Sequence, residues 1–448
     1  MSIESFLEEI TKTNEPSYLK EFRLESFRKF KDSKPENTDL FKYQTLFNDF
    51  DLKEFESSIS SDDNHDFELS NNFAFTIQNN SHDIKINLPD DLRAKGVIIS
   101  TLNESIKSEM QFKQILISDS KIDDKFLHMN NALFKSGLYI YIPKNLEIQQ
   151  PFRLMTMVNS NMINKIIFVI DSNSKLRVIK EDYSTNSGNP VLYSDSIEVL
   201  LKDGAELHVS HIQNLSKNVV HLSNKISTCN KDSNIYWNIA YFGGKKIRSK
   251  VYSLLLGEGS EAEDLEVLFG NKEQQFDMFS NLIHTGKNTT GRVLSNGVLK
   301  EKSNSIFKGM IKISEFAKYC NSFLSEHAML LSKDAKAKAI PGLEIETNEV
   351  KATHSASVSQ IEEDKIFYLM SRGLSEEEAK KMIAFGFFEP VIQKMLLDEM
   401  KVKVSHLLEL KWQGREEEFL KHMNDLQSQD AAGTMEKADI FEGHYKYR

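Results

Sequence analysis

Histidines and cysteines are the side chains of this sequence that could bind metals or carry thiol chemistry. Their spacing matches few known site motifs. The two cysteines, Cys229 and Cys320, form neither a disulfide framework nor a CxxC-type zinc or cluster motif. His208 and His211 lie three residues apart on a predicted strand, so they point to opposite faces and are not expected to ligate one metal. By its own context, His354 is typical of a surface or capping histidine.

Signatures of catalysis are scarce as well. The sequence has no GxxxxGK[ST] loop, so we expect no ATP hydrolysis by this chain, and it has no HExxH or GxSxG motif. Gly257-Glu-Gly259 lacks the third glycine and the strand-to-helix context of a dinucleotide site. Asp62 and Asp63 lie in a polar stretch, where we expect solvated carboxylates rather than catalytic ones.

The composition is that of a globular protein, with 40% hydrophobic and 27% charged residues in 448. This length suffices for two or three domains, or for one elongated core with helical ends. The net charge of -10 argues against general binding to nucleic acid or acidic membranes. Residues 1–9 lack the features of a signal peptide, and no apolar run approaches the roughly 20 residues that span a bilayer, so we expect a cytoplasmic protein.

The predicted secondary structure, which must position any site, changes from helix to strand along the chain. The first thirty residues predict helix, with Pro16 in its first turn, and residues 32–64 predict a mobile polar linker or lid. Short β-type runs then dominate between Ala132 and Ile313, with corners at Asp203-Gly204 and Gly257-Glu-Gly259. Such a series fits either a sandwich or barrel or a solenoid of stacked coils, and the pattern alone leaves both open. The runs lie at residues 138–142, 166–170, 197–200, 207–212, 252–256 and 265–269.

The last part of the chain predicts helices with clear ends. Ser359-Gln-Ile-Glu362 has the pattern of a capping box, and that helix is expected to end at Gly373. Ser375-Glu-Glu-Glu378 predicts a second capped helix ending at Gly386, and Pro390 predicts the start of a third. After residue 412 the chain turns polar, and we expect it to fray.

Residues 276–392 resemble the C-terminal half of the SufB/SufD family of the SUF iron–sulphur cluster assembly system, with motifs in matching order and spacing. Near the start, residues 14–24 are similar to the family's N-terminal helix, and residues 134–143 to its first core strand. Between about residues 150 and 265 only the strand pattern agrees. The motifs are Phe276-Asp277, His284-Thr285, Gly297-Val-Leu299, Ser305-Ile-Phe-Lys-Gly309, Met329-Leu-Leu-Ser332, Pro341-Gly-Leu-Glu-Ile345, Val350-Lys-Ala-Thr-His354 and Phe367-Tyr-Leu-Met-Ser-Arg-Gly-Leu-Ser375.

The resemblance implies a mainly β fold, a right-handed parallel β-helix flanked by helical domains. The expected divisions are a helical and mixed region with a polar linker at 1–130, a β-helix at 131–355, and a C-terminal helical domain at 356–448. It also implies a non-catalytic scaffold that pairs with a SufB-like subunit, or with a second copy, and holds a SufC-type ATPase on its C-terminal helices. An iron–sulphur cluster would form transiently at the interface between the paired subunits.

Within the family the sequence is more similar to SufD than to SufB. SufB-type chains have a His-Glu pair where this chain has His354-Ser355, and a cysteine near the position of Glu326. SufD-like chains have a cysteine and a serine before the histidine, where this chain has Ala352 and Thr353, so thiolate ligation by this subunit is not expected. A SufB-like scaffold that builds the cluster itself, and a purely structural adaptor, remain the alternatives.

The resemblance also selects candidate site residues. His354 is expected to contribute to a shared metal site at the interface, with Glu326 and Cys320 as weaker local candidates; for Cys320 a buried structural thiol is favoured. The predicted ATPase-docking residues cluster around Gly386, and the alternative is that they pack the local helical core. A carbohydrate-active β-helix enzyme would need paired carboxylates in a groove and would leave the C-terminal motifs unexplained. The docking residues are Phe385, Phe387, Phe388 and Ile392.

Overall fold

The centre of the molecule is a stack of short strands that alternate between two sheets. The computed structural model describes residues 8, 11–36, 40–55, 72–79, 81, 83–106, 122–185 and 188–420. Its strands, in chain order, are β1 (Phe75–Asn79), β2 (Asp83–Asn87), β3 (Ile98–Thr101), β4 (Ser136–Ile142), β5 (Phe152–Met157), β6 (Met162–Ile170), β7 (Lys175–Tyr183), β8 (Val191–Leu201), β9 (Glu206–Asn214), β10 (Val219–Cys229), β11 (Asn234–Tyr241), β12 (Lys246–Leu255), β13 (Glu261–Gly270), β14 (Gln275–His284), β15 (Thr290–Leu299), β16 (Asn304–Ile313), β17 (Asn321–Leu330), β18 (Lys336–Ile345) and β19 (Lys351–Gln360).

The strand order identifies the architecture. The first sheet runs β19-β17-β15-β13-β11-β9-β7-β5-β1-β2, and the second runs β18-β16-β14-β12-β10-β8-β6-β4-β3. From β4 onward neighbouring strands are parallel, and each turn of the chain adds one strand to each sheet, so the core is a parallel β-solenoid of about eight turns. The predicted β-helix is confirmed, and the sandwich alternative is excluded because its sheets would be antiparallel.

The corners of the turns explain how the chain reverses so regularly between the sheets. At one corner, successive turns place a residue with positive φ at equivalent positions, among them Asn173, Gly204, Asp232 and Gly259. Asparagine, aspartate and glycine adopt this conformation at the lowest cost. A side chain at Gly204 would also collide with Asn173, because its Cβ would lie 2.5 Å from Asn173 Oδ1. The predicted corners at residues 203–204 and 257–259 are confirmed.

Helices cover both ends of the sequence. On the N-terminal side, Arg23 of the first helix donates to the carbonyls of Ala132 and Phe134, at 3.0 and 2.9 Å, which fixes that helix beside the first turns. On the C-terminal side, the last long helix is held on the first sheet by two ion pairs, Arg153 with Glu399 and Glu181 with Lys403. The helices are α1 (Ser17–Asp32), α2 (Asp90–Ala94), α3 (Leu102–Ser105), α4 (Lys125–Leu133), α5 (Glu363–Ser371), α6 (Glu376–Ile392) and α7 (Asp398–Trp412).

The predicted polar linker is in part a packed strap. Residues 32–36 and 40–55 are described, and within them Phe41 and Phe47 are fully buried. Phe41 packs edge-on against Phe279 of the second sheet, and Phe47 against Phe126. The prediction of a mobile linker or lid is therefore wrong for these residues, because their aromatic side chains are buried against the solenoid. The remainder of the predicted linker, including Asp62 and Asp63, lies outside the described residues.

Three predicted helix boundaries at the C-terminal side are wrong. Ser359 lies in β19, and α5 begins after Glu362 without a side-chain cap. Helix α6 runs through both Gly386 and Pro390, because burial of its apolar face outweighs the low helix propensity of these two residues. The capping box at Ser375 is confirmed by hydrogen bonds in both directions with Glu378.

The solenoid extends beyond the predicted domain limits on both sides. Its first parallel strand begins at Phe75 and its last strand ends at Gln360, whereas the sequence placed the β-helix at 131–355. After α7 the chain continues to Leu420 with Phe419 fully buried, and the predicted polar tail beyond it lies outside the described residues. No helix in the described part of the chain is long and apolar enough to cross a membrane.

Candidate interface site at the open end of the solenoid

The last turn of the solenoid leaves the stack uncovered. β19 is the outermost strand of the first sheet and β18 of the second among the described strands, and nearly every residue of β19 is exposed. Leu343, Ile345 and Val358 are about 40% exposed although they continue columns that are buried in earlier turns. We call the exposed edges and interior positions of β18 and β19 the open end.

His354 stands at an interior position of the open end. In the parallel register it lies beside Leu324, which lies beside Val293, and both of these are buried in the core. Because neighbouring residues in a parallel sheet share a face, His354 extends this interior column into the last turn. There it is exposed, since no further turn among the described strands covers it.

Glu326 lies one turn below, in the adjacent interior column. It is paired in register with Ala356 of β19 and is only 2% exposed. Its Oε2 has no hydrogen-bond partner among the described residues, and a Cβ added to Gly309 would lie 2.9 Å from its Oε1. Burial, reinforced by the Glu266 carboxyl and opposed by Lys308, raises the pKa of Glu326 to about 8. A protonated carboxyl therefore lies beneath the histidine at neutral pH.

Cys320 is not part of this arrangement. It lies at the corner before β17, is 1% exposed, and its Sγ is 3.0 Å from Thr289 Oγ1 and 3.1 Å from the carbonyl oxygen of Ala317. Thr289 Oγ1 in turn lies 2.7 Å from His284 Nδ1. These contacts are those of a thiol that completes the packing of a corner, as the sequence favoured.

The predicted docking residues are mostly part of the core. Phe388 and Ile392 are buried where α6 crosses β13 and β15, with the Phe388 ring 6.2 Å from that of Phe269. Phe385 and Phe387 are half-buried in the same apolar cluster. The prediction that these four side chains form an exposed surface is wrong for Phe388 and Ile392, because α6 turns that face towards the sheet.

Helices α5 and α6 form a hairpin that carries exposed apolar side chains elsewhere. They lie on α5 and on the first half of α6, away from the sheet, and the most exposed are aromatic. Large exposed apolar groups on one hairpin are a usual mark of a binding surface. They are Phe367, Tyr368, Met370 and Met382.

Sequence reasoning missed a polar cluster inside the middle turns. His208 and His211 do point to opposite faces: His208 stacks on Tyr236 outside, whereas His211 is fully buried with its Nε2 2.8 Å from Asp182 Oδ2. Burial, together with Lys180, lowers the pKa of His211 to about 3, so its imidazole is neutral. The available signal was the alternation of ionisable residues within apolar strands, such as Lys180 and Asp182 in β7.

Comparison with known proteins agrees with this architecture. Residues 153–387 match the family described as "SUF system FeS cluster assembly, SufBD core domain". The iron-sulfur cluster assembly protein SufD of Bacillus subtilis is 27% identical over 422 residues, covering 89% of this chain and 95% of that protein. An iron-sulfur cluster assembly SufBD family protein of Staphylococcus aureus strain MRSA252 is 29% identical over 337 residues, covering 73% of this chain and 71% of that protein.

The solenoid core and the matched region together define the class: the chain belongs to the SufB/SufD family of the SUF iron–sulphur cluster assembly system. Within that family it is most like SufD, as the alignment along nearly the whole of the Bacillus protein shows. The sequence-based assignment to this family is confirmed.

Proposed function

We propose that the chain is the SufD-type scaffold subunit of a SUF complex, and that an iron–sulphur cluster is assembled at an interface built on its open end. The observation that carries this proposal is the unfinished last turn, in which two edge strands and His354 are exposed together. The subunit holds and positions the cluster and does not catalyse a reaction itself. Energy comes from an ATPase partner, and the cluster is cargo rather than a resident cofactor.

The edges of β18 and β19 favour a second solenoid as partner. Each edge presents ten residues whose outward N–H and C=O groups can pair with another strand. A partner with the same strand spacing would satisfy these groups and bury Leu343, Ile345 and Val358 at once. A SufB-like subunit fits this requirement, and a second copy of this chain is the alternative that the test below separates.

His354 supports a role in cluster binding because its nitrogen lone pair would face the partner at the junction. Imidazole nitrogen and carboxylate oxygen both bind iron. One histidine cannot hold a cluster, so the remaining ligands come from the partner. Glu326 is the weaker local candidate, because its buried carboxyl would first have to lose its proton. Cys320 is too enclosed by the corner at Thr289 to serve.

The α5–α6 hairpin supports docking of a SufC-type ATPase. Phe367 and Tyr368 project from α5 on the side away from the sheet, and Arg372 lies over the Tyr368 ring at 5.2 Å. Central aromatic residues of an interface typically cost about 2 kcal/mol when truncated, or roughly thirtyfold in affinity. Removing Phe367 is therefore expected to weaken ATPase binding without unfolding the hairpin, since the side chain is exposed.

The test is co-purification of the full chain with SufB-type and SufC-type partners, using variants of each surface. Leu343→Glu with Val358→Glu should lose the SufB-type partner and keep the ATPase, whereas Phe367→Ala with Tyr368→Ala should do the reverse. Leu256→Glu, at an exposed apolar residue directly after β12 and three strand spacings from β18, is the control and should keep both. Retention of the SufB-type partner by the Leu343/Val358 variant would disprove pairing through the open end.

The role of His354 is tested in the assembled complex. The His354→Ala variant should assemble with both partners, because the side chain is exposed, but should lose most of its iron and acid-labile sulphide. Ser357→Ala changes a neighbouring residue of β19 and should keep the full cluster content. Normal cluster loading in a stable His354→Ala complex would exclude His354 as a ligand.

A further inference from the structure

Four metal-binding side chains meet inside the solenoid, away from the open end. They lie on four successive strands, β7 to β10, and all are fully buried. His211 Nε2 lies 2.8 Å from Asp182 Oδ2, and His221 Nε2 lies 2.8 Å from Asp195 Oδ1. Ligand atoms of Asp182, Asp195 and His221 all lie within 4.8 Å of one another.

Lys180 places its ammonium group among these ligands. It contacts both carboxylate oxygens of Asp182 and lies 3.6 Å from Asp195 Oδ2 and 3.4 Å from His211 Nε2. Asp195 Oδ2 accepts no hydrogen bond from the described residues although it is completely buried. Nitrogen and oxygen donors thus surround one position, which the lysine nitrogen fills as a cation.

We infer that this cluster is a divalent-cation site made of Asp182, Asp195, His211 and His221, for which the Lys180 ammonium is a built-in competitor. Two imidazoles with two carboxylates suit first-row ions such as Fe²⁺, Co²⁺ and Zn²⁺ better than Mg²⁺ or Ca²⁺, which prefer oxygen ligands alone. Lys225 of β10 is also fully buried, and its charge favours the ionised form of Asp195, so Lys180 and Lys225 together balance the charges of the two carboxylates. Without Lys180, a net negative charge remains to attract a divalent ion.

A surface cleft lies near the cluster. The cleft, of about 570 Å³, lies at the corner after β11, and Asn214, Gly243 and Gly244 are among the residues that line it. Behind Gly243 stands the Gln213 amide, which bonds to both backbone groups of Gly243, at 3.1 and 3.3 Å. The same amide nitrogen is 3.4 Å from His221 Nδ1. The Gly243 backbone and the Gln213 side chain therefore lie between the cleft and His221.

This site is separate from the proposed interface. Five strand spacings separate β9 from β19 in the first sheet, which amounts to about 24 Å at roughly 4.8 Å each. Binding there would not require a partner subunit, so it can be measured on the chain alone. Its failure would leave the proposed function untouched.

The experiment is a Co²⁺ titration of the full chain, followed through the visible absorption bands of cobalt bound by nitrogen and oxygen. Lys180→Met should bind one ion per chain at least tenfold more tightly than wild type. The double variant Lys180→Met with Asp195→Asn leaves one carboxylate, Asp182, balanced by one lysine, Lys225. It should lose this binding. Lys312→Met, which removes a lysine from the solenoid surface, is the matched control and should behave as wild type.

Folding of the Lys180→Met variant provides the second measurement, because it buries two carboxylates against one lysine. If it refolds poorly alone, refolding in the presence of Co²⁺ should restore it, since a bound metal stabilises the folded state. A folded Lys180→Met variant with no more Co²⁺ than the Lys312→Met control would overturn the inference. The inference would also be overturned if Co²⁺ did not help Lys180→Met to refold while the double variant, Lys180→Met with Asp195→Asn, folded normally without metal.

Discussion

Glu326 lies at the boundary between the closed interior and the open end, one turn below His354. Its pKa of about 8 is well above the usual value because burial and Glu266 both disfavour its ionised form. In the unfolded chain the same carboxyl ionises near pH 4.5. Between these two values the folded protein holds a proton that the unfolded chain has released. The contribution of Glu326 to stability is therefore greatest at low pH and falls as the pH rises to about 8.

This difference predicts a pH-dependent effect of Glu326→Gln in the isolated subunit. Glutamine cannot ionise, so the free energy of unfolding of the variant should gain on wild type by about 1.4 kcal/mol per pH unit between pH 5 and 8. Urea denaturation at four pH values measures this gain. Glu363→Gln, at an exposed position of α5, is the control: its free energy of unfolding should differ from that of wild type by the same amount at every pH. A flat difference for Glu326→Gln as well would show that Glu326 is ionised in the fold.

At this scale the sequence identified residues through resemblance more than through chemistry. His354 and Glu326 were selected because motifs around them matched a family, whereas nothing local marked them as close to each other. The interior cluster around Lys180 was missed because alternation in a strand shows two faces without showing which is inside. In this solenoid, polar side chains occupy interior positions as well, so polarity did not distinguish the faces.

At the scale of elements, α6 shows tertiary packing overriding local signals. Gly386 predicts the end of one helix and Pro390 the start of the next, yet a single helix continues through both because Phe388 and Ile392 are buried against the sheet. The capping box at Ser375 was predictable because its hydrogen bonds are local. Helix ends that depend on local hydrogen bonds could thus be predicted from the sequence. Helix ends that depend on packing against a sheet distant in sequence could not.

Two glycines of the hairpin should respond in opposite ways to alanine. Gly386 lies inside α6, and Gly373 ends α5 with a φ of +97°; neither has any atom within 4 Å of an added Cβ. Gly386→Ala should raise the free energy of unfolding by about 0.5–1 kcal/mol through helix propensity. Gly373→Ala should lower it by about 1 kcal/mol or more, because its backbone is left-handed. Thermal unfolding of both variants measures the effect, and equal shifts would contradict the structure.

At the scale of the whole molecule, parallel pairing between distant turns decided the fold. The sequence showed short strands and corners but no measurable period, so a sandwich and a solenoid were equally acceptable until the family resemblance favoured one. The reason is physical: the register of a solenoid depends on contacts about thirty residues apart, and its polar interior weakens the apolar pattern of each strand. Strand existence was predictable from local pattern, whereas strand neighbours were not.

A buried ionic network joins the N-terminal segments to the second sheet. Glu36 of the strap pairs with Lys250 and Lys308 at 2.9 and 3.2 Å, and Asp124 before α4 pairs with Arg248 and Lys250. Burial alone would raise the pKa of Glu36, but the two lysines lower it to about 2. Its contribution to stability is present above its unfolded value near 4.5 and is lost as the pH falls towards 2.

Asp124→Asn tests whether this network makes strap, helix and solenoid one cooperative unit. Asparagine can still cap α4, where Asp124 Oδ1 accepts from the amides of Phe126 and Leu127, so the variant removes charge and keeps the cap. Arg248 would then lose the carboxylate with which it pairs, and Lys250 one of its two, which should cost about 3–5 kcal/mol in the free energy of unfolding.

Urea denaturation followed by both circular dichroism and tryptophan fluorescence measures this cost and its cooperativity. Asp123→Asn, at the neighbouring exposed carboxylate, should change the free energy of unfolding by less than about 0.5 kcal/mol. The two probes should report one transition in wild type, because the network buries charges from both segments against the same strands. A loss of under 1 kcal/mol in Asp124→Asn would mean that the N-terminal segments are held by their aromatic contacts alone.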